Sequence, residues 1–156
     1  MARSYLLFAN NLAVGSNSYP QISAQFATAA GAARMRVFEF DIGQGQSAPS
    51  DYSSEYTIVR TATAVVSGGT STVPTQTDAG DTAAGASGII ANTGSTTMTQ
   101  TVVFGVSVNM RATFRWVAAP TKEIVIPSAQ YSGVGLNVAY QSTAYNTVVT
   151  LFWEES

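Results

Sequence analysis

The chain reads as an all-β protein: a single-domain, jelly-roll-like antiparallel β-sandwich of about eight strands with an extended N-terminal segment. Three observations predict it. From Val102 to Trp116 every even position is apolar (Val102, Phe104, Val106, Val108, Met110, Ala112, Phe114, Trp116), and the odd positions are mostly polar. Successive side chains of a strand point to opposite faces, so a period of two sets one face against a core. The Ala-rich stretch 28–33 could pass for a short helix, but it contains Gly31 and has no capping residue before it, so it reads as a connection. The remaining apolar segments add up to about eight strands separated by turn residues, and eight antiparallel strands without a helix suggest two packed sheets of the jelly-roll kind.

In chain order, residues 5–14 are extended, and residues 15–20 are a break of turn formers. Residues 21–28 alternate through Ile22, Ala24 and Phe26, and residues 34–42 alternate with Phe38, Phe40 and Ile42 on one face and Met35, Val37, Glu39 and Asp41 on the other. A loop over 43–51 leads to a strand over 55–66, with Tyr56, Ile58 and Ala62 inward. Residues 67–100 are dominated by Gly, Ser, Thr, Ala and Asp and cannot hold a core; short strands near 72–74 and 89–91, pinned to a neighbour, would reconcile this insertion with a compact fold. At about 3.3 Å per residue the run from Val102 to Trp116 would reach roughly 50 Å, so it must bend or turn, at Gly105 or Asn109. A short strand over 122–126 is closed by Pro127, and residues 133–140 alternate through Val134, Leu136, Val138 and Tyr140. The last strand, 146–155, puts Val149, Leu151 and Trp153 on one face and Val148 and Phe152 on the other. The expected core is Phe38, Phe40, Ile58, Phe104, Val106, Phe114, Leu136 and Leu151. Two parts follow: residues 1–20 as an N-terminal extended arm or edge strand, and residues 21–156 as the sandwich with its insertion at about 67–100.

Composition narrows the function. The 156 residues include no Cys and no His, which removes disulfides, thiolate nucleophiles and the commonest general base and metal ligand together. Only 10% of residues are charged, against about 25% in an average soluble protein, and the net charge of −2 gives no footprint for nucleic acid or an acidic membrane. Interface cores are depleted in charge, so such a surface suits a chain whose exterior is covered by other subunits. The apolar stretch 5–9 is too short for a signal-peptide core, and nothing reaches the roughly 20 apolar residues that span a bilayer, so synthesis and residence in a cytoplasm are expected.

Each chemical motif has a duller reading. Gly43-Gln-Gly45-Gln-Ser-Ala48 has the spacing of a pyrophosphate-binding turn, but Pro49 and a further strand follow where a helix is required, so no cofactor is expected. Asp78 and Asp81 could face a hard cation, yet no acidic cluster surrounds them and a solvated turn is favoured. Glu39, Asp41, Glu55 and Glu123 are the carboxylates available for glycoside hydrolysis, with no spacing that selects a pair. Glu39 and Asp41 share a strand face in a chain that carries Arg34, Arg36, Arg60, Arg111 and Arg115, and ion pairs or interface contacts are expected of them. Trp116, Tyr131, Tyr140, Tyr145 and Trp153 could stack on sugars, but at strand spacing large residues are more often core. No catalytic residue is assigned, and the chain is read as a non-enzyme.

The segments Met110-Arg-Ala-Thr-Phe-Arg-Trp-Val-Ala-Ala-Pro120, Lys122-Glu-Ile-Val-Ile-Pro127, the strand from Gly133, Leu151-Phe-Trp-Glu-Glu155, Arg34-Met-Arg-Val-Phe-Glu-Phe-Asp-Ile-Gly43 and Thr77-Asp-Ala-Gly-Asp81 together resemble the capsid decoration (cement) proteins of tailed bacteriophages. The resemblance covers most of the chain from Arg3 onward and rests on framework strands and turns. It implies a homotrimer that sits on the outer surface of an icosahedral head and clamps neighbouring major capsid proteins. On that expectation Arg3, Tyr5, Leu6 and Phe8 form a capsid-binding arm that could add a strand to a neighbour's sheet, although residues 5–9 read equally well as a strand of the protein's own sheet. Arg111 and Arg115, on the polar side of the long run, are candidates for the trimer interface. The alternative function is a trimeric receptor- or glycan-binding module of a phage tail or fibre, using loops near 131–141 or 140–146.

Overall fold

The computed structural model describes residues 2–13, 20–28, 33–44, 51, 53–64, 68–90, 98–109, 111–139 and 146–156. Within them the strands are β1 (Arg3–Ala13), β2 (Ile22–Gln25), β3 (Met35–Gln44), β4 (Ser53–Ala62), β5 (Thr70–Thr72), β6 (Thr75–Gln76), β7 (Ser87–Ile90), β8 (Thr99–Asn109), β9 (Phe114–Val117), β10 (Ile124–Ile126), β11 (Gly133–Ala139) and β12 (Asn146–Glu155). The first sheet runs β10-β3-β12-β1-β6, with β9 also paired to β3, and the second runs β5-β7-β2-β11-β4-β8. All described pairings are antiparallel.

Setting aside β5, β6 and β7, and counting β9 and β10 as one interrupted strand, leaves eight positions. The chain then pairs first with last (β1 with β12), second with seventh (β2 with β11), third with sixth (β3 with β9 and β10) and fourth with fifth (β4 with β8). That is an antiparallel ribbon rolled into two sheets, the jelly roll. The remaining three strands come from the Gly/Ser/Thr-rich insertion. β6 pairs with β1 at Tyr5 and Leu6, and β7 pairs with β2 and carries β5 on its far side.

Inward residues of both sheets fill one core. Tyr5, Leu7, Phe40, Ile58, Leu136, Leu151 and Trp153 are among its buried members, each contributing roughly 1.5–3 kcal/mol of transfer free energy if aliphatic or of phenylalanine size. Phe104, Val106 and Phe114 are half-buried and pack against this core together with Trp116. The rings of Phe40 and Trp116 lie 5.8 Å apart and those of Phe104 and Phe114 6.2 Å apart, so these aromatics join β8 of the second sheet to β3 and β9 of the first.

Phe38 departs from the expected core. Glu39 faces Phe152 and Val37 faces Trp153, which leaves Phe38 as the unopposed residue of a β-bulge. The bulge changes the parity of β3. Met35 and Val37 point inward before it and Phe40 and Ile42 after it, while Phe38 stays half-buried, 6.3 Å from the ring of Phe152. A second bulge sits in β8, where Ile58 faces Phe104 and Val59 faces Val102. Val103 is unopposed there, and Val102 and Val103 are 63% and 39% exposed instead of continuing the inward row. The long run turns at Asn109, whose side-chain oxygen accepts the Arg111 amide at 2.8 Å while its carbonyl accepts Ala112 N–H at 2.9 Å. Gly105 lies within the strand. Strand β4 stops before the expected residue 66, because Thr63 adopts a positive φ of 75° and its hydroxyl accepts Thr99 N–H at 3.0 Å.

The insertion is tied down by hydrogen bonds, since it has little to bury. Glu155, inward on β12 and 8% exposed, accepts Gly85 N–H at 2.7 Å, Ala86 N–H at 3.1 Å and the Trp153 indole N–H at 3.1 Å. Tyr5 Oη donates to the Thr82 carbonyl at 3.0 Å, and Thr77 N–H donates to the Ser4 carbonyl at 3.0 Å. Gly88 is needed for close approach, because a Cβ there would lie 2.6 Å from Leu7 Cδ1.

Three substitutions check this arrangement. Phe40→Ala should cost about 3–5 kcal/mol in chemical denaturation, whereas Phe38→Ala, two residues away in sequence but on the outer face, should cost about 1 kcal/mol. Equal losses would show that the bulge is misplaced. Glu155→Gln leaves the shape unchanged but turns one acceptor into a donor facing N–H groups, and should cost about 2–3 kcal/mol with faster proteolysis of the 75–90 segment.

Candidate interaction surface

The outer face of the first sheet combines exposed apolar groups with an ion cluster. Alternation along β1 places Tyr5, Leu7 and Ala9 in the core and Leu6 and Phe8 outside, and Phe8 is 50% exposed. Strand register sets these residues in two adjacent rows across four strands. One row is Phe8, Thr150, Asp41 and Arg115; the other is Leu6, Phe152, Glu39 and Val117. Phe38 joins the second row through Phe152, and Val117 is exposed at its end. Beyond the first row Gly43 has no side chain, which leaves a shallow depression of about 320 Å³ between Asp41, Arg115, Val148 and Thr150.

The electrostatics are local. Arg115 Nε lies 2.6 Å from Glu39 Oε1 and 3.6 Å from Asp41 Oδ1. The hydrogen bond that Arg115 donates to Glu39 holds its guanidinium protonated more firmly than usual. Partial burial, with the Glu39 charge beside it, pushes the Asp41 carboxyl up, and Arg115 opposes this. Asp41 Oδ1 is buried and has no hydrogen-bond partner among the described residues.

The expected site residues therefore fall in three places. Leu6, Phe8 and Arg115 share the outer face. Arg111 lies in the turn between β8 and β9, with its Nε 3.1 Å from Asp51. Arg3 and Tyr5 serve the fold. Arg3 donates to Thr82 Oγ1 at 2.6 Å and lies 3.9 Å from Asp81, and Tyr5 is 1% exposed with its ring 6.0 Å from that of Trp153. Of the two readings of the N-terminal segment, arm or strand of the protein's own sheet, the second holds from Arg3 to Ala13: the segment pairs with β12 from Arg3 to Ala9 and again at Leu12 and Ala13, with a register shift between.

Of the chemical motifs, Glu39 and Asp41 come together but share Arg115, whereas Glu55 lies on β4 in the other sheet and Glu123 accepts Thr121 N–H at 3.3 Å. Asp78 accepts Gly80 N–H at 2.9 Å within its own turn. Among the described residues no three His, Cys, Asp or Glu side chains are placed to hold a metal ion. Trp153 is buried and Trp116 packs on the core, while Tyr140, Tyr145 and the glycine motif beyond Gln44 lie outside the described residues. Phe38, Phe152, Val102 and Val103 are the surface groups that sequence reasoning did not bring forward. The signal for two of these positions is an apolar doublet, Val37-Phe38 and Val102-Val103, which breaks strict alternation where a bulge forms.

Asp41 gives a pH prediction. Its carboxyl is raised in the folded state, so the native protein holds the proton more tightly than the unfolded chain. Stability from this group therefore falls as pH rises through the window just above the ordinary value of 3.8. Asp41→Asn should raise the unfolding midpoint at neutral pH and flatten the slope of stability against pH across that window, measured by thermal melts at constant ionic strength. No family model matches this chain, and no curated protein or solved structure is detectably similar to it.

Proposed function

We propose that this protein is a structural component of a phage virion that binds the outer surface of the head and cements major capsid protein subunits together. The reading rests on the sequence resemblance to decoration proteins, and the observation that carries it furthest is the outer face of the first sheet. Leu6, Phe8, Phe38, Phe152 and Val117 form an exposed or half-exposed apolar band on the outer face of the sheet, interrupted by Thr150 and the Glu39–Arg115–Asp41 cluster. Apolar area of this kind on a paired sheet suits a static contact, with Phe8 as an aromatic anchor and the ion cluster setting orientation. The capsid protein is the proposed occupant of this face. Three copies associate around a local threefold site, with Arg111, in the turn beside this face, at the subunit boundary and Arg115 kept to the ion cluster of the face itself. In this role the protein works as an assembled part of the particle without a cofactor. Binding the assembled lattice and not free subunits stabilises the lattice by mass action.

The test is attachment to purified heads that lack the protein. Wild-type chain should cosediment with them and raise their disruption temperature. Phe8→Asp, at a half-exposed position outside the core, should keep the wild-type melting temperature within a few degrees and lose attachment by at least about tenfold. Heads that are equally robust without the protein, or a protein found only on tails and binding host glycans, would replace this reading with the receptor-binding one.

A further inference from the structure

The edges of the two sheets are mostly short. β5, β6, β9 and β10 have two to four residues each, which is one of the ways sheets avoid pairing with other chains. Strand β8 is different. It is 11 residues long, lies at the end of the second sheet and pairs with β4 on one side, with no described strand on the other. Its sequence, Thr-Gln-Thr-Val-Val-Phe-Gly-Val-Ser-Val-Asn, contains no charged residue and no proline, the two side-chain devices that protect an edge. Val102 and Val103 stand exposed at its bulge, and a shallow depression lined by Glu55, Gly105, Val106 and Ser107 lies beside it.

We propose that β8 is a pairing edge and that its occupant is β8 of a second copy of this chain. A two-fold antiparallel pair lets each copy satisfy the other's open backbone N–H and C=O groups with the same residues. The segment from Phe104 to Asn109, beyond the bulge, is regular and supplies the register. The absence of charge makes the strand self-compatible, because no like charges meet whichever residue lies on the axis. The second sheet then continues across two copies as a twelve-stranded sheet. The contact joins copies two at a time, so it is separate from the threefold contact and the capsid face proposed above and does not rest on either.

Two experiments on the full-length chain in solution test it without any capsid. The first uses charge. Gly105→Lys with Ser107→Lys, and Gly105→Glu with Ser107→Glu, place like charges across the axis, and a Cβ at Gly105 meets Thr57 Cγ2 at 3.5 Å and the Tyr56 carbonyl oxygen at 3.8 Å, both ordinary contacts. Each charged variant should weaken the two-fold step of self-association at least about tenfold in sedimentation, leaving any threefold association in place, and an equimolar mixture of the two should restore it. The second uses the absence of cysteine from the chain. Single-cysteine variants at Val103, Gly105 and Ser107 should form cross-linked dimers on mild oxidation at the position nearest the axis, where Cβ atoms approach about 4 Å, and Val73→Cys on the insertion should not. If the charged variants fail to fold, judged by circular dichroism, the cysteine series decides. A chain that stays monomeric to millimolar concentration, self-association unchanged by both charged variants, or cross-linking equal at Val73 would overturn the proposal. So would charged variants that lose attachment to heads while the wild type never self-associates, which would assign β8 to a capsid strand.

Discussion

The carboxylate of Glu155 ties the two ends of this chain's problem together. A buried charge must be met by donors, and Glu155 is met by three: the amides of Gly85 and Ala86 and the indole of Trp153. Hydrogen bonds to a charged group are worth roughly 1.5–3 kcal/mol each, and they hold the part of the insertion before β7, where burial is confined to small residues such as Ala86. Its one large aliphatic group before β7, Val73, is 76% exposed. Held at residues 85 and 86, and by Arg3, Tyr5 and Ser4 further back, the insertion lays β6 against β1 and β7 against β2. It thereby covers an edge of each sheet at once.

The other side of the sandwich is closed by different physics. There the chain crosses from β8 to β9 through the Asn109 turn, and Phe104, Phe114, Trp116 and Phe40 pack across the crossing. Aromatic contacts of this kind are non-directional in their main part and adapt to twist, whereas the Glu155 clamp is directional and fixes a position. One side is therefore a hydrophobic seam between two long strands and the other a polar clasp on a segment with little core of its own. Between them β12 and β3 in the first sheet, and β11 and β4 in the second, carry the buried rows that set the distance between sheets.

The eight jelly-roll positions were legible because alternation is a direct consequence of strand geometry. It needs only enough apolar residues to show, as in Val134, Leu136 and Val138 or Val149, Leu151 and Trp153. Of the insertion's short strands, β7 was legible from the apolar residues at 89–90, whereas the strand expected near 72–74 was not found there: Val73 lies exposed between β5 and β6, which are held by backbone pairing and not by an apolar side chain. Bulges were not. A single unopposed residue reverses the parity of everything beyond it, so Phe38 and Phe40 look alike in sequence and face opposite ways in space. Of the site, Arg115 with Glu39 and Asp41 could be foreseen because a chain with seven cations and nine carboxylates leaves few partners for each. Arg3 and Tyr5 could not, because what they touch is the insertion, 77 or more residues away, and nothing local in the sequence marks that contact.

An apolar sheet face and an open sheet edge offer different kinds of contact. A sheet face such as that of Leu6, Phe8 and Phe152 gains free energy from area removed from water, which tolerates small shifts and gives little register. An edge such as β8 gains backbone hydrogen bonds that form only at one spacing, so it fixes geometry while adding modest net free energy per bond. On the proposals made above, the edge sets the arrangement of copies and the face supplies adhesion to the particle. Once two copies are joined through β8, seating the face of one raises the effective concentration of the other's face at its own site, and a weak single contact becomes a durable double one. A protein with few charges to steer its association has reason to depend on this, because its attachment then needs no long-range attraction and loses little to salt.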